Sequence, residues 1–158
     1  MRDMTLDDLC GSPSGEHVLT YADGISRRVY TVDHEVPFPD GRLIVSRTDL
    51  RGVITRANDS FVAMSGWSMP ELIGEPHSIM RHPDMPSVVF RDLWHTVGRG
   101  HTWHGHVKNL RKDGAYYWVY ASIVPNVRHG EMVGFTSVRR KASRRTVAEA
   151  AARYAALR

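Results

Sequence analysis

The chain has 158 residues, 42% hydrophobic and 24% charged, with a formal charge of +4. That length fits one domain of about 100–200 residues, large enough to close a core without disulfides or a structural metal. The composition excludes collagen-like, coiled-coil and wholly disordered chains.

The charge is unevenly placed. Residues 139–158 hold seven Lys and Arg against one acid, Glu149, so this tail is +6, and residues 1–138 carry 14 bases against 16 acids. The body has no basic stripe interleaved with aromatic residues, so no nucleic-acid partner is expected. The tail reads as a solvated linker helix leading to another element. The single cysteine, Cys10, has no partner for an internal disulfide, which fits a reducing, cytoplasmic setting. No run approaches the roughly 18 apolar residues of a membrane span, and the first residues lack the apolar centre of a signal peptide. No membrane insertion by this chain is expected.

Residues 1–35 form an amino-terminal extension in which Val29–Val32 reads as a strand or as an arm on a partner's surface. Two prolines and an Asp-Gly in Val36-Pro37-Phe38-Pro39-Asp40-Gly41 punctuate the chain, and a sensory domain of residues 36–140 is placed from there. Leu43–Thr48 and Val53–Ala57 read as a hairpin. Asn58 is placed to cap a helix that carries Phe61 and Met64 and stops at Gly66, and Pro70–Gly74 reads as a second short helix. From Met85 to Val97 the apolar residues keep i, i+4 spacing on one wide face. Three strands follow, Trp103–Arg111, Ala115–Val124 and Met132–Arg139, with Asn126–Gly130 as a loop. Residues 141–158 close the chain as a basic segment, with a helix at Ser143–Leu157 whose Val147, Ala151 and Tyr154 share a stripe. This order predicts an α+β fold: a five-stranded antiparallel sheet, short helices on one face, and a concave space suited to a small ligand.

No phosphate-binding glycine loop, nucleophile elbow or H-E-x-x-H motif is present, and Cys10 has no plausible base beside it, so no enzyme is expected. His104 and His106 share a strand face with Lys108 and lack carboxylate or thiolate co-ligands, so no metal site is expected either. The opposite face carries Trp103, Gly105, Val107 and Asn109. Asn109 is an amide on an apolar face, which is either satisfied by backbone or bonded to a polar heterocycle in the concave space. In Arg81-His82-Pro83-Asp84, Pro83 holds His82 extended and Asp84 reads as the N-cap of the next helix. Arg81 and His82, just before a helix start, suit a phosphate. Phe90 and Trp94, at i and i+4, read as core on spacing alone.

The runs A-N-D-S-F (57–61), S-G-W (65–67), E-L-I-G-E-P-H (71–77), R-H-P-D-M-P (81–86), F-R-D-L-W (90–94), W-H-G-H-V-K-N (103–109), R-K-D-G (111–114), Y-W-V (117–119) and G-F-T-S-V-R (134–139) resemble a PAS domain. More narrowly, they are similar to the flavin-binding PAS domains of bacterial aerotaxis receptors. The resemblance covers about residues 36–140. It implies non-covalent FAD and a redox, oxygen or energy sensor in signal transduction. It also implies FAD contacts at Asn58, Arg81, His82 and Asp84, with Phe90, Trp94, Trp103 and Asn109 lining the pocket. On reduction, an amide such as Asn109 would exchange hydrogen-bond partners, and the sheet or flanking helices would repack.

Leu110 and Trp67 depart from the pattern, where Arg and Tyr are usual. Such receptors continue into a membrane anchor and a signalling rod, so the chain is expected to be a sensory piece of a longer receptor or a free-standing PAS protein. Its expected partners are FAD and a protein: a chemoreceptor-type output domain, a separate partner or a second copy. The helix at 143–157 would be the connector. Rival readings are a haem gas sensor using His95 and a ligand-free PAS docking module. A cysteine-adduct photoreceptor is excluded, because residues 11–158 contain no cysteine.

Overall fold

Alternation of buried and exposed residues along the strands sets the layers. In the computed structural model, which describes residues 1–158, five strands form one antiparallel sheet: β3 (Ile44–Thr48), β4 (Ile54–Ala57), β5 (Trp103–Leu110), β6 (Tyr116–Arg128) and β7 (Glu131–Arg140). Their order is β4-β3-β7-β6-β5. In β6 the residues Tyr117, Val119, Ala121 and Ile123 are buried on one face, and Tyr116, Trp118, Tyr120 and Ser122 stand half-buried on the other. This period of two is what a sheet with one covered face requires. The helices α1 (Asp59–Ser65), α2 (Met69–Leu72) and α3 (Ser87–Gly98), with a 3-10 turn at His77–Met80, lie on the inner face. Their Phe61, Leu72, Ile79, Leu93 and Val97 enter one core cluster with Tyr117 and Val119. Each such side chain contributes about 1.5–3 kcal/mol by leaving water.

Local signals explain the helix ends. Asn58 Oδ1 accepts from Phe61 N at 3.0 Å, which satisfies one free amide of the first turn of α1. Gly66 stops that helix in the left-handed region at φ 76°, donating its N–H to Val62 O at 3.2 Å. Ser68 and Glu71 form a capping box on α2. Helix α3 begins differently from expectation. Its N-cap is Pro86, with no side-chain cap, and Asp84 lies outside the helix with its carboxylate turned to Lys108 and Arg158.

Three further differences have simple causes. Strand β6 runs on to Arg128, because His129 (φ 52°) and Gly130 (φ 79°) complete the turn in two residues where a five-residue loop was expected. The stripe of the carboxy-terminal helix α4 (Arg144–Ala156) is Val147, Ala150 and Tyr154, with Ala151 exposed. The extension contains a complete hairpin, β1 (Gly15–Thr20) and β2 (Ser26–Thr31). In β2 the buried residues alternate as Arg27, Val29 and Thr31, whereas β1 has no buried residue and hence no pattern to read. Met4 and Val29 pack with Leu110 in a second small cluster, so the residues before 36 are bound to the domain, on their own chain.

Helix α4 covers part of the outer sheet face. Tyr154 Oη donates to His106 O at 2.7 Å, and its ring stacks on Trp118 with centroids 6.3 Å apart.

The packing between β3 and β7 leaves no room for a methyl group. A Cβ at Gly134 would lie 2.1 Å from the backbone oxygen of Thr48, whereas one at Gly98 would meet nothing within 4 Å. Gly134→Ala is therefore expected to lower stability by about 3 kcal/mol, at the upper end of ordinary overpacking, because backbone must move. Gly98→Ala in α3 is expected to raise it by about 0.5–1 kcal/mol. Urea unfolding of the two variants checks both signs.

Candidate functional site

A cavity of about 760 Å³ lies between the inner sheet face and the segment from His77 to α3. That volume is within the usual range of about 300–1,000 Å³ for small-molecule sites. Val107, Ala121, Ile123 and Phe135 from the sheet and Leu93 and Trp94 from α3 make apolar walls. Trp94 meets Phe135 edge to face at 5.7 Å. Into these walls project polar groups without partners. Tyr21 Oη, Thr48 Oγ1, Arg81 Nε, Asn109 Nδ2, Ser137 Oγ and Arg139 Nε are all buried and make no hydrogen bond, and all six belong to side chains that line the cavity. A buried polar atom without a partner costs about 1–3 kcal/mol. Six of them surround one hollow, where a polar guest would satisfy them.

The deepest group is Arg139. It is 2% exposed, makes no ion pair, and lies 4.5 Å over the ring of Phe61. Its Nη2 donates to Ser46 Oγ at 2.6 Å, and its Nη1 meets His77 Nε2 at 2.9 Å. Burial pulls the Arg139 pKa down to about 10. Burial, reinforced by the Arg139 charge, pushes His77 down to about 3, so its ring is neutral and accepts from the guanidinium. Next to Asn109, the fully buried Tyr117 hydroxyl also lacks a hydrogen-bond partner, and burial raises its pKa to about 12.

Of the eight residues expected at the site, Arg81, Phe90, Trp94 and Asn109 line the cavity. Arg81 sits 5.0 Å over the Phe90 ring, and its backbone pairs with that of Asn109 in an isolated bridge. The other four do not line it. Asn58 spends its amide on Phe61 N, on Val45 N at 3.1 Å and on Leu43 O at 2.9 Å, which ties α1 to β3. Trp103 donates its indole N–H to Asp92 at 2.9 Å and slides its ring beneath Gly105. His82 is buried edge-on to Tyr116, with Nδ1 accepting from Asp84 N at 3.0 Å. Burial and the nearby Lys108 charge push its pKa to about 3, against the opposing pull of Asp84. Asp84 bridges Lys108 Nζ at 2.8 Å and Arg158 at 2.9 Å. Burial alone would raise its pKa, but the Lys108 hydrogen bond and the surrounding positive charges hold it below the ordinary carboxylate value.

Tyr21, Thr48, His77, Ser137 and Arg139 escaped the sequence reading. For three residues of β7 a signal existed: Phe135, Ser137 and Arg139 alternate on one face, as Val107 and Asn109 do in β5. Arg139 also begins the basic run of residues 139–141, which masks that alternation. His104 and His106 stand on the outer face, as expected, and no group of three or more potential metal ligands exists in the chain.

A sheet of this order, with short helices on one face and a ligand-sized hollow beneath them, defines a sensory-domain fold, and the comparisons agree. The model of the PAS fold matches residues 54–139, and the chain belongs to the PAS family. Among solved structures it superposes on a PAS domain from Colwellia psychrerythraea with a TM-score of 0.57 and 26% identity, covering 63% of this chain and 86% of that one. On the light-state LOV domain of Aureochrome1 the TM-score is 0.64 at 18% identity, covering 70% and 89%, a likeness of fold alone.

Within the family the chain is similar to part of an aerotaxis receptor. It is 44% identical over 133 residues, 84% of its length, to the aerotaxis receptor of Escherichia coli strain K12, and spans 26% of that protein. It is 28% identical over 100 residues to the nitrogen fixation regulatory protein of Klebsiella pneumoniae, covering 63% of this chain and 20% of that one. The chain thus corresponds to about a quarter or less of these relatives' lengths. No helix is long and apolar enough to cross a membrane.

Proposed function

We propose that the cavity holds a flavin, FAD, without covalent attachment, and that the chain is the redox-sensing part of a signalling protein rather than an enzyme. The observation that carries this reading is the set of six unpartnered polar side-chain atoms around an apolar hollow. A flat heterocycle with polar edges and apolar faces matches that donor set, and the 44% identity to an aerotaxis receptor supports the same reading. The bound flavin would supply reversible electron uptake, with changed charge and protonation on its ring.

The chain's own groups convert such a change into structure. Asn109 can present either its carbonyl or its amide edge, because nothing in the protein bonds Nδ2. Arg139 offers a fixed positive charge in a medium of low dielectric. Asn109 is bridged to Arg81 by backbone, and its neighbour Lys108 reaches Asp84, which holds Arg158, two residues beyond α4. The path from hollow to helix is therefore short and polar. Helix α4 is the output element in this reading, passing the signal to a further domain, a separate protein or a second copy.

The haem alternative loses its ligand, because His95 does not line the cavity and its ring nitrogen lies 3.4 Å from Arg99. An empty docking module would have no use for six buried orphan groups. The purified chain is expected to be yellow, with flavin bands in the blue and near ultraviolet that bleach with dithionite, and to release FAD on denaturation, identified by mass. A colourless protein that stays colourless after incubation with FAD and FMN overturns the reading.

A further inference from the structure

The mouth of the cavity has a wall that the family match does not include. The turn joining β1 and β2 places Tyr21, Ala22 and Asp23 on the cavity lining, more than thirty residues before the matched segment begins. Backbone bonds from Tyr21 N to Ile25 O and from Gly24 N to Tyr21 O, both 2.9 Å, hold that tip in a fixed shape. The hairpin is itself fastened to the segment leading to Arg81, since buried Arg27 donates to Ile79 O at 3.2 Å. Tyr21 is 7% exposed, and its hydroxyl is buried without a partner. It lies close enough to act electrostatically on Arg81, whose own Nε is buried and unpartnered and whose charge burial disfavours.

The charge of the cavity lining is mostly positive. Arg51, Arg81, Arg91 and Arg139 line the cavity against a single acid, Asp23. Asp23 accepts from Ile25 N at 2.9 Å within its own turn, and Arg51 leans on Asp49 at 3.5 Å. None of the chain's ion pairs involves Arg81 or Arg91. Resting on the flavin reading above, we propose that Tyr21 joins Arg81 and Arg91 in an anion subsite at the cavity mouth, which takes the diphosphate arm of the dinucleotide. The amino-terminal hairpin is then part of the ligand site, and it selects a phosphorylated flavin over the uncharged one. A hydroxyl and two guanidinium groups are the donors that a phosphate oxygen prefers, and guanidinium gives the stronger, charge-assisted bonds.

The test is a titration of the full chain, freed of bound flavin, with riboflavin, FMN and FAD, followed by flavin fluorescence. Riboflavin reports the ring site alone; the two phosphorylated flavins add the mouth. FAD is expected to bind at least tenfold more tightly than riboflavin. Tyr21→Phe removes one oxygen and keeps the ring. It is expected to weaken FAD by about tenfold, the effect of one hydrogen bond to a charged group, with riboflavin affinity unmoved. Arg91→Gln, at an exposed position, is expected to act in the same direction, by a smaller factor that shrinks further as salt is raised. Equal affinities for the three flavins, or a Tyr21→Phe loss shared by riboflavin, overturn the subsite and leave the flavin reading standing. Failure of all three flavins to bind overturns both.

Discussion

Acidifying the flavin-free protein from about pH 7 to about pH 5 is expected to remove about 4 kcal/mol of folding stability. The two groups chiefly responsible are His77 and His82, each pushed to about 3 from an ordinary value of 6.5, with a smaller contribution of the same sign from half-buried His106, which burial also lowers. The unfolded chain takes up both protons as the pH passes 6.5, while the folded chain refuses them until about 3. Between those values the unfolded state binds more protons, so stability falls as pH falls, by about 1.4 kcal/mol per unit for each histidine.

The surroundings explain why neither ring charges easily. His77 faces the Arg139 guanidinium, and His82 is enclosed by Lys108, Arg158 and His17, with Asp84 the one acid beside it. The loss from Asp84 itself comes only at lower pH, because its folded value is depressed below that of an ordinary carboxylate. Urea midpoints measured across this range check the slope, and His82→Gln should halve it. A midpoint that stays level down to pH 5 would show that both rings accept their protons inside the fold, and half the slope that one of them does.

Arg139→Met is expected to separate binding from stability. A buried guanidinium with no carboxylate partner carries a desolvation cost of several kcal/mol, and replacing buried charge by an apolar side chain of similar volume is often neutral or stabilising by about 1–4 kcal/mol. The groups left behind can serve each other, since Ser46 Oγ and His77 Nε2 are already 3.5 Å apart. The unfolding midpoint of the flavin-free variant is therefore expected to hold or rise. FAD affinity is expected to fall about 10- to 100-fold, the effect of one charge-assisted hydrogen bond in a buried site. A variant that unfolds as readily as a core truncation such as Phe61→Ala, which costs about 3–5 kcal/mol, would make Arg139 a structural residue.

Much of this architecture was legible in the chain because its signals are local. Five antiparallel strands, the cap at Asn58 and the stop at Gly66 follow from alternation, capping chemistry and turn chemistry within a few residues. Asn109 was placed on the inner face by counting along one strand. The failures are long-range. Asp84 fitted a helix cap by position, but its carboxylate finds Lys108 and Arg158, 24 and 74 residues away, and two cations outcompete one backbone amide. Arg139 belonged by sequence to a basic tail and by fold to the cavity floor. Asn58 and Trp103 carry hydrogen bonds that hold elements together outside the cavity, a role that motif matching cannot separate from ligand contact. The hairpin strand β1 has no buried face, so no periodicity betrays it.

The position of β3 has a practical consequence. This strand precedes the segment matched by the family, yet it is inserted between β4 and β7 and brings Ser46 and Thr48 to the interior. A clone trimmed to residues 54–139 would pull the second plank out of a five-plank floor. Two raw strand margins would be left able to recruit stray β-structure from other molecules, and the product would precipitate for reasons unrelated to any cofactor.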